Sequence, residues 1–145
     1  MKNSLIGTVT ETINVPAAKV WAALTTPEII KKYFFGSDAK SDWKVGSPLI
    51  YSGSWQGKTY EDKGKILALE PDKLLKHTYW SSMSGIEDKP ENYVTVTYEL
   101  AEKDGKTEIS VTQDNIPSEE MKVHSAENWK KVLKGMKELL ETPNP

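Results

Sequence analysis

The sequence contains no cysteine. That removes disulfides, thiolate catalysis and Cys-ligated metals together. It contains no arginine either: all 19 basic side chains are lysines, set against 21 acids, for a net charge of −2. Nucleic-acid binders usually present a basic domain and use the planar Arg fork on bases and phosphates. With neither, no nucleic-acid partner is expected. No apolar run approaches the roughly 18–20 residues of a membrane span. The opening Met1–Thr8 stretch has no long apolar region and no small-residue cleavage site, so no secretory signal is expected, and the default compartment is the cytoplasm. There are only two histidines, His77 and His124. Neither lies in a His-x-x-x-His or Glu-x-x-His spacing, so no metal and no cofactor is expected. No Gly-x-Ser-x-Gly elbow exists, and the Gly53–Gly57 stretch lacks the Gly-Lys-Ser/Thr ending of a phosphate loop. The catalytic inventory is thin, and no catalytic residue is assigned.

What is present is a chain of 145 residues, the size of one domain, with 37% hydrophobic residues and five Trp, six Tyr and two Phe. Aromatic bulk lets such a chain bury a core. Residues 5–15 alternate and are β-branched, which predicts a strand with Val9, Glu11 and Ile13 on one face and Thr8, Thr10 and Thr12 on the other. Pro16 stops it and can open a helix over 17–25. Thr26-Pro27-Glu28 predicts a second helix start, with Thr as cap, Pro first and an acid in the first turn. Residues 38–47 read as a loop and Pro48–Tyr51 as a strand that Ser52-Gly53-Ser54 interrupts before Trp55. A turn follows at Gln56-Gly57-Lys58, then a long strand over 59–70 with Gly64 as a bulge candidate. Glu70-Pro71-Asp72-Lys73 is a turn, 74–81 a strand and 82–92 a polar loop. Two alternating strands, 93–101 and 107–115, flank the Asp104-Gly105 hairpin signal. Ser118 caps a helix over 119–141 whose Trp129, Val132, Leu133, Met136, Leu139 and Leu140 form one stripe. Residues 142–145 read as a frayed tail. Strands grouped apart from helices predict the α+β class. One long amphipathic helix cannot lie flat on a twisted sheet, so the sheet must curve around it and leave a natural cavity between them.

Several motifs in this order carry a resemblance. They are the Val15–Glu28 run, Val-Pro-Ala-Ala-Lys-Val-Trp-Ala-Ala-Leu-Thr-Thr-Pro-Glu; Lys32-Tyr33-Phe34; Trp43-Lys44-Val45-Gly46-Ser47-Pro48; Gly64 to Pro71 followed by Leu74 and Trp80; and Asn128-Trp129 with Leu133, Leu139 and Leu140. Over about residues 5–141 the chain resembles the START-like, helix-grip (SRPBCC, Bet v-like) superfamily. Within it, the chain is similar to the branch named for the activator of the heat-shock-protein-90 ATPase. Asn128 stands where that branch usually has Gly, and Tyr33 where it usually has Trp. The resemblance implies a curved antiparallel sheet wrapped around a long C-terminal helix, two short helices after the first strand, and in many members a hydrophobic cavity. It implies no activity, since function lives in the site and not the fold.

The candidate ligand-binding residues follow from the strand faces and the aromatic content. Glu11 sits between Val9 and Ile13, so its carboxylate either faces an apolar cavity or reaches the sheet rim. Tyr98 and Gln113 could project inward as hydrogen-bond anchors. Tyr33, Phe34, Trp43, Tyr51, Trp55, Trp80 and Trp129 are spread over the elements that would wall the cavity, with Met136 on the helix stripe. The first expectation is a monomeric module holding a hydrophobic or aromatic small molecule, lipid-like or polyketide-like. The alternatives are a protein-interaction domain with a chaperone partner, and a cyclase- or aromatase-type enzyme in which Glu11 would be the acid or base.

Overall fold

The computed structural model of the protein describes residues 5–141 apart from Phe35, Gln56, residues 82–86 and Pro117. The expectations made for the 82–86 loop, the 142–145 tail and the Trp55 side chain lie outside the described residues. Strand β1 (Leu5–Ile13) leads into helices α1 (Ala17–Thr25) and α2 (Pro27–Tyr33). Six strands follow: β2 (Asp38–Ser41), β3 (Pro48–Trp55), β4 (Lys58–Glu70), β5 (Leu74–Ser81), β6 (Val94–Lys103) and β7 (Lys106–Ile116). A short 3₁₀ turn at Pro90–Asn92 precedes β6, and helix α3 (Glu119–Glu141) closes the chain.

All seven strands form one antiparallel sheet in the order β1-β7-β6-β5-β4-β3-β2. Neighbours in sequence are neighbours in space except for β1, which crosses to pair with β7. Period-2 alternation then sorts each strand into two faces. Val9 and Ile13, Ile109 and Val111, Val96 and Tyr98, Leu75 and His77, Ile66 and Asp62, and Leu49 and Tyr51 are the buried, inner positions. The opposite face is wetter: Thr8 meets Thr112 and Thr10 meets Ser110 through hydroxyl pairs at 3.3 and 3.1 Å. Helix α3 lies on the inner face, with Val132, Leu133 and Met136 buried. It packs against β1 and β7 and against both short helices. At its far end Lys137 donates to the Thr12 carbonyl at 2.6 Å, and the Glu141 carboxylate accepts the Asn14 N–H at 2.9 Å.

Several local expectations are corrected. Residues 38–41 are a strand, not a loop, because Asp38–Ser41 pairs with Leu49–Ser52. Ser52-Gly53-Ser54 does not interrupt β3, since all three pair with β4. The bulge in β4 falls between Ile66 and Ala68, not at Gly64. Gly64 answers a different demand: a Cβ there would lie 1.7 Å from the Thr78 carbonyl oxygen of β5. Pro16 precedes α1 in extended conformation instead of opening it, and the Thr26 side chain makes no capping bond at α2, although Pro27 is its first residue. Ser118 does cap α3, accepting the Met121 N–H at 3.1 Å. No helix among the described residues is long and apolar enough to cross a membrane.

Candidate functional site

The inner face converges on a closed circuit of aromatic rings. Phe34, just past the end of α2, stacks on Tyr51 of β3 at 5.1 Å between centroids. Tyr51 stands 6.4 Å from His77 of β5. His77 is stacked with Tyr98 of β6 at 5.9 Å. Tyr98 meets the edge of Trp129 of α3 at 5.8 Å, and Trp129 returns to Phe34 at 6.3 Å. Each ring comes from a different element, and offset or edge-on geometry at these distances is the favourable kind. Strand alternation aims Tyr51, His77 and Tyr98 at the helix, and the α3 stripe aims Trp129 back at the sheet.

Polar atoms are built into this apolar circuit. The Trp129 indole N–H donates to Gln113 Oε1 at 2.9 Å, and the Ser125 hydroxyl donates to the same oxygen at 3.0 Å. His77 Nδ1 lies 2.8 Å from the Thr78 carbonyl oxygen. A carbonyl only accepts, so Nδ1 carries the proton, and Nε2 of the neutral ring is an acceptor. Nε2 is buried and has no partner among the described residues. Burial disfavours the imidazolium and lowers the His77 pKa from 6.5 to about 4. The Tyr79 hydroxyl donates to Asp62 Oδ2 at 2.6 Å, while the other carboxylate oxygen of this buried residue, Oδ1, has no partner. Burial raises the Tyr51 and Tyr98 phenols well above their ordinary values, so both hydroxyls stay protonated. No cluster of three His, Asp or Glu residues among the described ones is placed to hold a metal.

The other anticipated residues are placed as follows. Tyr33 packs at the margin, its hydroxyl donating to the Ala23 carbonyl at 2.6 Å and its ring meeting the edge of Phe34. Trp43, in the loop after β2 with φ +54°, packs half-buried against the core. Met136 is fully buried in that core. Glu11 shares the inner face with Val9 and Ile13, but it lies on the edge strand, half-buried, and its Oε1 accepts the Thr12 N–H. Trp80 is a correction: alternation puts it on the face opposite His77 and Tyr79. There it stacks beside Tyr93 at 6.5 Å, with the Lys63 ammonium 5.7 Å from its ring centroid. The Lys63 ammonium also bonds Asp88 at 2.6 Å. Sequence reading missed His77, Tyr79 and Asp62. The signal was present, because Leu75, His77 and Tyr79 alternate with Lys76 and Thr78.

A curved antiparallel sheet gripping one long C-terminal helix, with an aromatic-lined interior between them, defines the START-like, helix-grip class. The sequence profile of the family described as "Activator of Hsp90 ATPase homolog 1-like protein" matches residues 14–141, and the chain belongs to that family. Among solved structures it is similar to ChR145 from Cytophaga hutchinsonii, with 45% identity over 97% of both chains and a TM-score of 0.84. The Aha1 dimer from Colwellia psychrerythraea is 20% identical over 97% of both chains, with a TM-score of 0.76. DynU16, a putative protein in the dynemicin biosynthetic locus, is 16% identical over 97% of this chain and 48% of its own, with a TM-score of 0.79. The last two likenesses speak to the fold alone. No curated protein matches the chain.

Proposed function

We propose that this protein is a small-molecule binding module of the cytoplasm, holding a hydrophobic or aromatic ligand between the sheet and α3. The observation that carries the reading is the five-ring circuit of Phe34, Tyr51, His77, Tyr98 and Trp129, which sets the unpartnered His77 Nε2 within an apolar interior. A core built only for packing satisfies its buried polar groups, whereas a binding site keeps a few polar groups for orientation within mostly apolar walls. Affinity comes from apolar area removed from water, at about 25 cal/mol per Å² before the costs of association. Tyr33, Trp43 and Met136 support the walls, and Gln113 fixes the Trp129 ring. The test is intact mass under native and denaturing conditions. An excess mass that vanishes on denaturation supports the reading and identifies the ligand. Protein that stays ligand-free, and whose interior amide resonances do not move with an aromatic and lipid panel, refutes it. The native mass also reads the oligomeric state, taken here as a monomer although the Colwellia relative is a dimer.

A second reading, a chaperone-binding module, is favoured by family membership and by Met121 and Val123. These apolar side chains stand 47% and 58% exposed on the first turns of α3. Co-elution with the chaperone from a sizing column, abolished by Met121→Glu with Val123→Glu, is its expected result.

A further inference from the structure

The unpartnered atoms of the interior share one property. His77 Nε2 accepts hydrogen bonds and does not donate, because its proton sits on Nδ1 facing Thr78. Asp62 Oδ1 is likewise an orphaned acceptor, on the same face of the sheet and in register with Tyr51. Among the described residues no lysine is buried, and the chain has no arginine. An anionic headgroup inside would therefore meet a carboxylate and a neutral imidazole with no cation to offset its desolvation. A neutral hydroxyl would give Nε2 the donor it lacks, and the Tyr51 and Tyr98 rings flank that imidazole.

We infer that the interior site selects neutral, hydroxyl-bearing flat aromatic ligands of the phenol class over carboxylate or phosphate lipids, with the ligand O–H donated to His77 Nε2. This rests on the interior-binding reading above and sharpens it. The imidazole acts as a specificity-determining acceptor: it rewards a donor, and without one it stays buried and unpaired. A site that expects a hydrogen bond discriminates strongly against a ligand that cannot make it.

The experiment compares three probes of one shape, 2-naphthol, naphthalene and 2-naphthoate, by calorimetry and by amide and indole resonances of isotope-labelled full-length protein. On the wild type, 2-naphthol is expected to bind about tenfold tighter than naphthalene, and 2-naphthoate weaker than both. His77→Phe is expected to erase the naphthol advantage, so that 2-naphthol binds no tighter than naphthalene to that variant. His77→Gln, which offers an amide oxygen at similar reach, is expected to restore part of it. An advantage that survives in His77→Phe overturns the inference, as does naphthoate matching naphthol on the wild type, a comparison that needs no variant. In both cases naphthalene binding would leave the interior reading standing. If no probe shifts Trp129 or its neighbours, the interior reading itself falls.

Discussion

His77 couples the interior to pH through its own desolvation. In the unfolded chain it titrates near 6.5, and in the fold near 4. The folded state therefore binds fewer protons between those values, so stability falls as pH drops through that window and is unaffected by His77 above it. The full penalty is about 3 kcal/mol below the window, with about 2 kcal/mol already lost at pH 5. Urea unfolding between pH 7 and 5 should show this slope in the wild type and a much flatter one in His77→Phe. An equal slope in both would mean that the imidazole is hydrated in solution. Asp88 and Glu141 are held below the ordinary carboxylate range by their bonds to Lys63 and Lys137. Their stabilising contributions are lost at lower pH, as protonation breaks those bonds, so the pH 7–5 window isolates the histidine.

At the scale of elements, two glycines separate backbone necessity from tolerance. In β4, an Ala at Gly64 would drive its Cβ into the Thr78 carbonyl of β5, and a backbone atom in a paired strand cannot swing aside. Gly64→Ala is expected to destabilise by about 1–3 kcal/mol or more. In the middle of α3, a Cβ at Gly135 would meet Tyr33 Cβ at 3.7 Å, an ordinary contact. Gly135→Ala is expected to stabilise by about 0.5–1 kcal/mol through helix propensity. Thermal or urea unfolding of both variants checks the two signs. These residues also show what the sequence could and could not disclose. A Gly inside a strand pattern signals close approach or a bulge, and only the neighbouring strand decides which. The α3 bounds were legible because the Ser118 cap, the acidic first turn and the apolar stripe all agree. Strand β2 was not legible: four residues whose only buried side chain is Ala39 carry no period, and it exists because β3 offers a free edge. The ring circuit was half legible. Counting aromatics found Phe34, Tyr51, Tyr98 and Trp129 but also admitted Trp80, which strict alternation along β5 assigns to the other face. His77 carries no metal-ligand spacing in the sequence, and what sets it apart is an unpaired nitrogen that no sequence pattern reveals.

Over the whole molecule, the rings of the interior circuit are contributed by positions from 34 to 129, and the helix that closes it docks on the first strand. No fragment short of the grip brings Phe34, Tyr51, His77, Tyr98 and Trp129 together, so a ligand held within the circuit would be linked to global folding. A ligand that binds only the native state adds about 2.7 kcal/mol at a hundredfold excess over its dissociation constant. For a domain of this size that corresponds to a rise in melting temperature of roughly 6–10 °C. The expected result is such a rise with 2-naphthol. Amide exchange should slow in α2, β5 and α3 together, since the ligand would bridge elements distant in sequence. Trp129→Ala, which opens the circuit on the helix side and leaves Gln113 Oε1 with the Ser125 hydroxyl alone, should retain the fold at reduced stability and lose most of the ligand-induced rise. A rise that is undiminished in Trp129→Ala would place the ligand outside the circuit. Binding detected by calorimetry without any rise would mean that the unfolded chain binds as well, and the grip would then contribute nothing to recognition.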